Sequence, residues 1–345
     1  MKKIFLKLKN KDYNAEHYVV FMPKLFNYES VNFEKFKIIF NYKFDNFFGI
    51  EFESKELSKE ELSKIALIFY SYLKILIGYY PKIIECSFMN LEDFPEKYKT
   101  KSSYIRDDGQ YIYSVDYNKF FKSFDNFINL YDRCLQQLSI FDCSIMVCSH
   151  YSDISIVNIL QALDGIFDNL SFTSSVREIV DEDTKEKLIK SVVNFKNISS
   201  IIETEEKYKK LSKEEKNNKI NKLKSNFNDN LIRVNKLNFK DKLDFLFNST
   251  IVDVLEFEKE LLLDNKYYYN NLLKLFKNTR NMISHSSSEE SDILNGKESI
   301  GYIYKLLLVF RLLIFKEIGL EEKIDIKKLN QDIKSMNEYL FKEEN

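Results

Sequence analysis

The sequence predicts an α+β protein in two parts, a β-rich N-terminal α+β domain over residues 1–115 and an all-α helical domain over residues 116–345. Three observations carry this reading. Pro23, Pro81 and Pro95 all lie in the first third and no proline follows, and helix interiors are where proline is excluded. Apolar and polar residues alternate in several short runs of the first third. After Asp116 the apolar spacing changes to steps of three and four, the period of a helix with one buried face.

In chain order, Lys3–Leu8, Tyr18–Met22, Phe36–Tyr42 and Phe47–Phe52 are aromatic or β-branched runs bounded by turn residues, and are predicted antiparallel strands. Ser58 followed by Glu61 is a capping-box signature, with Leu57 placed to staple against Leu62. A helix is predicted from there to Ile77, with Leu62, Ile65, Ala66, Phe69, Leu73, Leu76 and Ile77 on its buried face and Gly78 and Pro81 ending it. Ile83–Met89 and Tyr111–Val115 are predicted to add two strands, the second after an Asp108-Gly109 turn.

Beyond Asp116, the residues Phe120, Phe121, Phe124, Phe127, Ile128, Tyr131 and Leu135 form a helical stripe, with a connection expected near Asp142. A second helix is predicted over Asp153–Leu170, with Ile156, Ile159, Leu160, Leu163 and Phe167 inward and Gln161, Asp164 and Asp168 elsewhere. Residues 173–230 are dense in Lys, Glu, Asn and Ser. Their runs Glu203–Lys207 and Lys213–Lys216 place opposite charges at helical spacing, so this stretch is expected to be a charged helical insertion. Acidic residues interleaved with its lysines argue for a solvated surface over a phosphate-binding one. Phe239–Phe247 opens the last helical block, and Leu272, Phe276, Thr279 and Ile283 line one face of a later helix. A polar loop through Ser286-Ser287-Ser288 and Gly296 follows. Last comes a helix with a wide apolar face, from Ile300, Ile303 and Tyr304 to Phe315 and Ile318, stopped by Gly319. Such a face is central in a bundle or part of a dimer interface.

Composition excludes some classes of function. With 44% hydrophobic residues the chain is not largely disordered, and 52 basic against 53 acidic groups give a formal charge of −1. A nucleic-acid site must therefore be a local patch. The four cysteines, Cys86, Cys134, Cys143 and Cys148, form no C-x-x-C pair and have no histidine at zinc-ligand spacing, so reduced, buried thiols in a cytoplasmic protein are expected, with no metal and no cofactor. The longest apolar run, Leu306–Ile314, is interrupted by Arg311 and is too short to cross a bilayer, so no membrane association is expected.

The chemistry concentrates in Arg280-Asn281-Met282-Ile283-Ser284-His285. Histidine moves protons near neutral pH, and arginine holds phosphate or carboxylate through a planar fork of donors. On a helix Asn281 and His285 share one face, and Arg280 lies about 140° around from His285. The apolar stripe fills much of the rest, so the motif projects at the edge of the bundle. RNA cleavage without a metal needs a base for the 2′-hydroxyl, an acid for the leaving oxygen and a cation for the phosphate. One histidine cannot readily fill these roles, and two subunits placing their motifs face to face would. The bland alternative is an Arg280 paired with a surface carboxylate and a His285 that ends a helix favourably.

The motif resembles the signature of HEPN domains: an Arg, a polar residue after it that is often Asn, and a His a few residues on. Three segments resemble the ApeA-like HEPN group more narrowly: Asn158–Asp164, Phe239–Leu243 and Thr279–His285. Leu313–Leu320 resembles that group's closing helix, and ApeA-like proteins commonly place a β-rich part before the HEPN domain. Asp164 stands where relatives usually carry Glu, and Ser286 where they often carry Gly. The resemblance implies a helical bundle, homodimerisation through the HEPN domain, and metal-independent endoribonuclease activity of the toxin or antiphage-defence kind. On that logic His285 is general acid or base, Arg280 binds the scissile phosphate and Asn281 positions one or the other, with Asp164 and Ser284 as supporting candidates. The implied partners are RNA, a second copy of the chain, and a protein trigger or inhibitor. The alternatives are a non-catalytic HEPN module that binds RNA or protein, and a toxin subunit silenced by a partner.

Overall fold

The computed structural model describes residues 1–9, 26, 28–44, 47–78, 82–88, 111–112, 114–147, 153–177, 212–218, 221–222, 237–252, 254–255, 265–285, 293–294 and 296–341. Within them, the side chains of 9, 42–44, 47, 82, 84, 141–147, 153–154, 265–268, 282–285, 296–300 and 336–341 are not described. Tyr18–Met22, the Asp108-Gly109 turn, Glu203–Lys207, the Ser286–Ser288 loop and the side chains of Cys143, Cys148 and Ile300 therefore lie outside the described residues.

The first third is an antiparallel sheet of five strands: β1 (Lys2–Lys9), β2 (Ser30–Asn32), β3 (Lys37–Phe44), β4 (Phe47–Ser54) and β5 (Lys82–Cys86), in the order β2-β3-β4-β1-β5. Alternation sets which face is buried. Ile4, Leu6 and Leu8 of β1, Ile38 and Phe40 of β3, and Phe48, Ile50 and Phe52 of β4 all point to one side and are buried. The register pairs them directly, Ile4 with Phe52, and Leu6 and Phe40 on either side of Ile50. The opposite face carries Lys3, which pairs with Glu53, and Lys7, which lies 4.0 Å from Glu85. Sliding β1 by one residue would exchange these two sets, which is why the register is firmly specified.

Helix α1 (Lys59–Ile77) packs on β1 and β4. It starts at Ser58, whose hydroxyl accepts from Glu61 N–H at 3.1 Å while the Glu61 carboxylate accepts from Ser58 N–H at 2.7 Å. It ends at Gly78, which takes the left-handed conformation (φ 77°) that costs other residues free energy. Phe69 and Tyr72 of α1 meet helix α2 (Tyr117–Val147), Phe69 edge-on to Phe124 at 5.3 Å and the Tyr72 hydroxyl 2.7 Å from the Ser123 hydroxyl. Burial pushes the Tyr72 phenol far up, against the Ser123 hydrogen bond. Phe26 stacks on Phe40 and Phe120 meets both edge-on at the same point, so sheet, α1 and α2 share one aromatic core.

The helical part continues with α3 (Asp153–Phe167), α4 (Phe239–Asn248), α5 (Asn265–His285), α6 (Gly296–Ile318) and α7 (Ile326–Phe341). From Tyr302 to Phe315 every residue of α6 but Tyr304 is buried, and α6 packs against α2, α3 and α7. Its wide apolar face is therefore central in the bundle. The closest packing by contact groups Met1–Leu170 with Leu243–Asn345 as one compact unit and Ser171–Lys242 as another. In the second unit, Ser212 and Glu215 form another capping box, with bonds of 2.8 and 3.2 Å.

Several expectations need correction. Tyr111–Val115 is not a strand: Val115 makes an isolated parallel bridge to Phe26, while Tyr111 and Ile112 are buried. β5 ends at Cys86, short of Met89. Asp142 lies inside α2, which runs to Val147 and changes direction at Cys134 (φ −116°, ψ 19°). Phe121 and Leu135 are exposed; the buried stripe runs instead through Phe120, Phe124, Phe127, Leu130, Cys134 and Leu138, because the residues one step round the helix face the core. Gly296 begins α6 and is not in a loop. Cys134 is buried but Cys86 is only half-buried, and neither forms a disulfide. β2 and α7 were not anticipated. β2 has three residues, too few to show alternation. α7 shows Leu329 and Ile333 four residues apart and buried, after Asp325, whose carboxylate accepts from Lys328 N–H at 3.0 Å.

Candidate functional site

The site is built where α3 and α5 pack together. α3 buries Ile156, Ile159, Leu160, Leu163 and Phe167, as their spacing requires, which leaves Asp164 half-buried at the edge and Gln161 and Asp168 exposed. α5 buries Leu272, Leu273, Phe276 and Thr279, which places Arg280 and Asn281 half-buried beside that stripe. Phe276 is held edge-on by Phe247 at 6.1 Å and Tyr302 at 5.4 Å.

Across this contact Arg280 Nη2 donates to Asp164 Oδ2 at 2.9 Å, with side-chain exposures of 29% and 22%. The structure thus brings Arg280 and Asp164 together from positions 116 residues apart. A partly buried, charge-assisted bond of this length fixes the direction of the guanidinium plane more firmly than a surface pair would. It also satisfies the bland alternative in part, since the arginine does pair with a carboxylate. His285 is the last residue of α5, one turn beyond Asn281. The side chains of Ser284 and His285 lie outside the described residues, so Arg280, Asn281 and Asp164 are the site residues whose side chains can be described.

Three braces around the site had no signal in the sequence. Arg133 on α2 donates from Nη1 to Asn169 O at 2.8 Å, just past the end of α3, and from Nη2 to Glu317 on α6 at 3.1 Å. At Gly165, next to Asp164, an added Cβ would lie 2.5 Å from Nε2 of Gln137, so α2 and α3 approach closely there. Thr279, next to Arg280, is buried and fully hydrogen-bonded: its hydroxyl donates to Leu275 O at 2.8 Å and accepts from Leu294 N–H at 3.1 Å. The contacts of Arg133, Gly165 and the Thr279–Leu294 bond join residues 15 or more positions apart, and although periodicity places Thr279 on the buried stripe, it does not name these partners.

Among the described residues no group of three or more His, Cys, Asp or Glu is placed to hold a metal, and no helix is long and apolar enough to cross a membrane.

The helical part thus carries the sequence Arg-Asn-x3-His at the end of α5, with Asp164 of α3 on the arginine. Residues 157–324 match the family model described as Apea-like HEPN. The chain therefore carries an Apea-like HEPN domain, preceded by the five-stranded sheet, and at the level of the family this is a module of the nuclease, toxin or defence type. No curated protein and no solved structure matches the chain.

Proposed function

We propose that the protein is an endoribonuclease that cleaves RNA without a metal, at a composite site formed by two copies of the chain, in a toxin or antiphage-defence role. The observation that supports it most is the Arg280-Asn281-x3-His285 helix end inside a matched HEPN domain, with Arg280 oriented by Asp164. In this reading Arg280 binds the scissile phosphate and stabilises charge as it develops on the nonbridging oxygens. His285 of one copy takes the 2′-hydroxyl proton and His285 of the other protonates the leaving 5′-oxygen, giving a cyclic phosphate and a free hydroxyl. Asn281, one turn before His285, positions the imidazole or the phosphate, and Ser284 supports it. The partners are RNA and a second copy, in the cytoplasm, with a protein trigger or inhibitor controlling the activity.

The test is incubation of the purified full chain with total RNA in EDTA, beside His285→Ala and Arg280→Ala. The expected result is cleavage by the wild-type chain and a loss of about 10²-fold or more in each variant. Equal cleavage by all three, or none by any, rejects the assignment. The Arg280–Asp164 pair favours one second reading: with its cation neutralised inside a single copy, the domain is a non-catalytic RNA- or protein-binding module or a toxin subunit held silent by a partner. RNA retention without cleavage under every condition would select it.

A further inference from the structure

Two consecutive residues of α5 pin the helix from two directions. Arg280 reaches sideways to Asp164 on α3 at 2.9 Å. Thr279, about 100° away around the helix, points into the core, where it is 2% exposed. Its hydroxyl has one possible arrangement. Leu294 N–H can only donate, so Oγ1 accepts there at 3.1 Å, and its own proton goes to Leu275 O at 2.8 Å. Leu294 is itself buried and lies two residues before the start of α6, the central helix of the bundle. Thr279 thus ties the turn Leu275–Thr279 of α5 to the entry of α6, while Arg280 ties α5 to α3.

We infer that Thr279 is a positioning residue for the site, setting the rotation of α5 so that Arg280 meets Asp164 and the face carrying Asn281 and His285 is presented at the bundle edge. The functional half of this inference rests on the reading of Arg280 and His285 as the reactive pair. A helix held by apolar packing alone can turn by several degrees at little cost, because packed side chains accommodate small rotations. Two polar pins on adjacent residues remove that freedom, because a rotation that keeps one bond stretches the other. Loss of the hydroxyl leaves a buried Leu294 N–H without its acceptor, and the helix and the α6 entry then settle independently.

The experiment uses the full chain with Thr279→Val, which keeps the shape and removes the hydroxyl, and Thr279→Ser, which keeps the hydroxyl. Three readouts are taken: amide hydrogen exchange at Leu294, the thermal midpoint of each variant with and without Asp164→Asn, and cleavage of total RNA with kcat and KM separated. In Thr279→Val, exchange at Leu294 is expected to quicken at least tenfold, and the losses in midpoint from Thr279→Val and Asp164→Asn are expected not to add. On the RNA, kcat should fall about tenfold or more with KM within about threefold, since misplacement by about 1 Å costs catalysis more than binding. Thr279→Ser should restore all three. Unchanged Leu294 exchange in Thr279→Val, additive midpoints, or a serine variant as impaired as the valine would overturn the inference. If the wild-type chain cleaves nothing, the endoribonuclease reading fails, and the exchange and additivity measurements still decide whether Thr279 positions α5.

Discussion

Arg311 shows what a buried charge does at the scale of a single residue. Its Nε donates to Ile75 O at 3.0 Å and its Nη2 to Leu76 O at 3.3 Å, the last carbonyls of α1, while Tyr111 and Phe315 lie 5.3 and 5.5 Å from the guanidinium. Burial lowers its pKa to about 10, with Tyr111 and Asp332 acting the other way, so it remains charged at neutral pH. The carbonyls at a helix C-terminus have no intrahelical partner and carry the negative end of its dipole, so the cation completes what α1 lacks. Arg311→Met keeps much of the volume and leaves both carbonyls unpaired; a loss of about 2–4 kcal/mol is expected in a urea melt. Cys134 makes a second residue-scale prediction. Burial raises its thiol to about 11, with the Arg133 charge lowering it and Glu317 raising it. Alkylation mapped by mass spectrometry at pH 8 should therefore mark half-buried Cys86 well before Cys134. Because the unfolded thiol ionises first, near 9.0, Cys134 also subtracts stability as pH rises toward 11.

Among the elements, α1 was the most legible in the sequence. Ser58, Glu61 and Gly78 are local signals, each acting through backbone atoms within one turn, and the structure shows them in those roles. Ser58→Ala should cost about 1 kcal/mol, read as a shift of the thermal midpoint. Helix α2 has a charge-dependent start: Lys119 N–H donates to Asp116 at 3.0 Å, and that bond, then the Lys323 ammonium at 3.0 Å, holds the Asp116 carboxyl below its ordinary value. A depressed carboxyl contributes stability above its unfolded value of about 3.8 and loses it as pH falls through the lower folded value. Asp116→Asn should therefore lower the thermal midpoint at pH 6 and leave it unchanged at the most acid pH where the chain still melts. Strand faces and helix stripes were readable because burial follows period 2 and period 3.6. Tyr111–Val115 was misread because its apolar residues serve as packing for Arg311 and the aromatic core, with only an isolated bridge to Phe26 among the described residues. At the candidate site, Arg280, Asn281 and His285 stand out as a local pattern and Asp164 as a supporting candidate, but the bond between Arg280 and Asp164 had no signal in the sequence. Nor did the partners of Thr279 and Arg133, since their roles depend on which distant backbone atoms folding brings to them.

At the scale of the whole molecule, the sheet and the helical bundle are continuous. Phe26 and Phe40 from the sheet region meet Phe120 of α2, Tyr72 of α1 meets Ser123, and Arg311 of α6 meets the end of α1. Residues 116–345 expressed alone are expected to lack a cooperative melt, because removing the first third uncovers Phe120, Phe124 and Phe127 together. The proposed composite site makes a different prediction at this scale. Mixed dimers of wild-type and His285→Ala chains should cleave RNA at well under half the wild-type rate, since a site that draws a histidine from each copy is incomplete in every mixed pair. Independent sites would give half. The bridge from Arg311 to Ile75 and Leu76 also bears on how such chains can be recombined. A chimera that grafts a foreign β-rich segment onto this HEPN domain inherits a cation shaped for one particular helix end. Grafts that bring a helix of different length, or one ending without Gly78, would leave that cation stranded, so the first third and α6 should be exchanged as a matched pair.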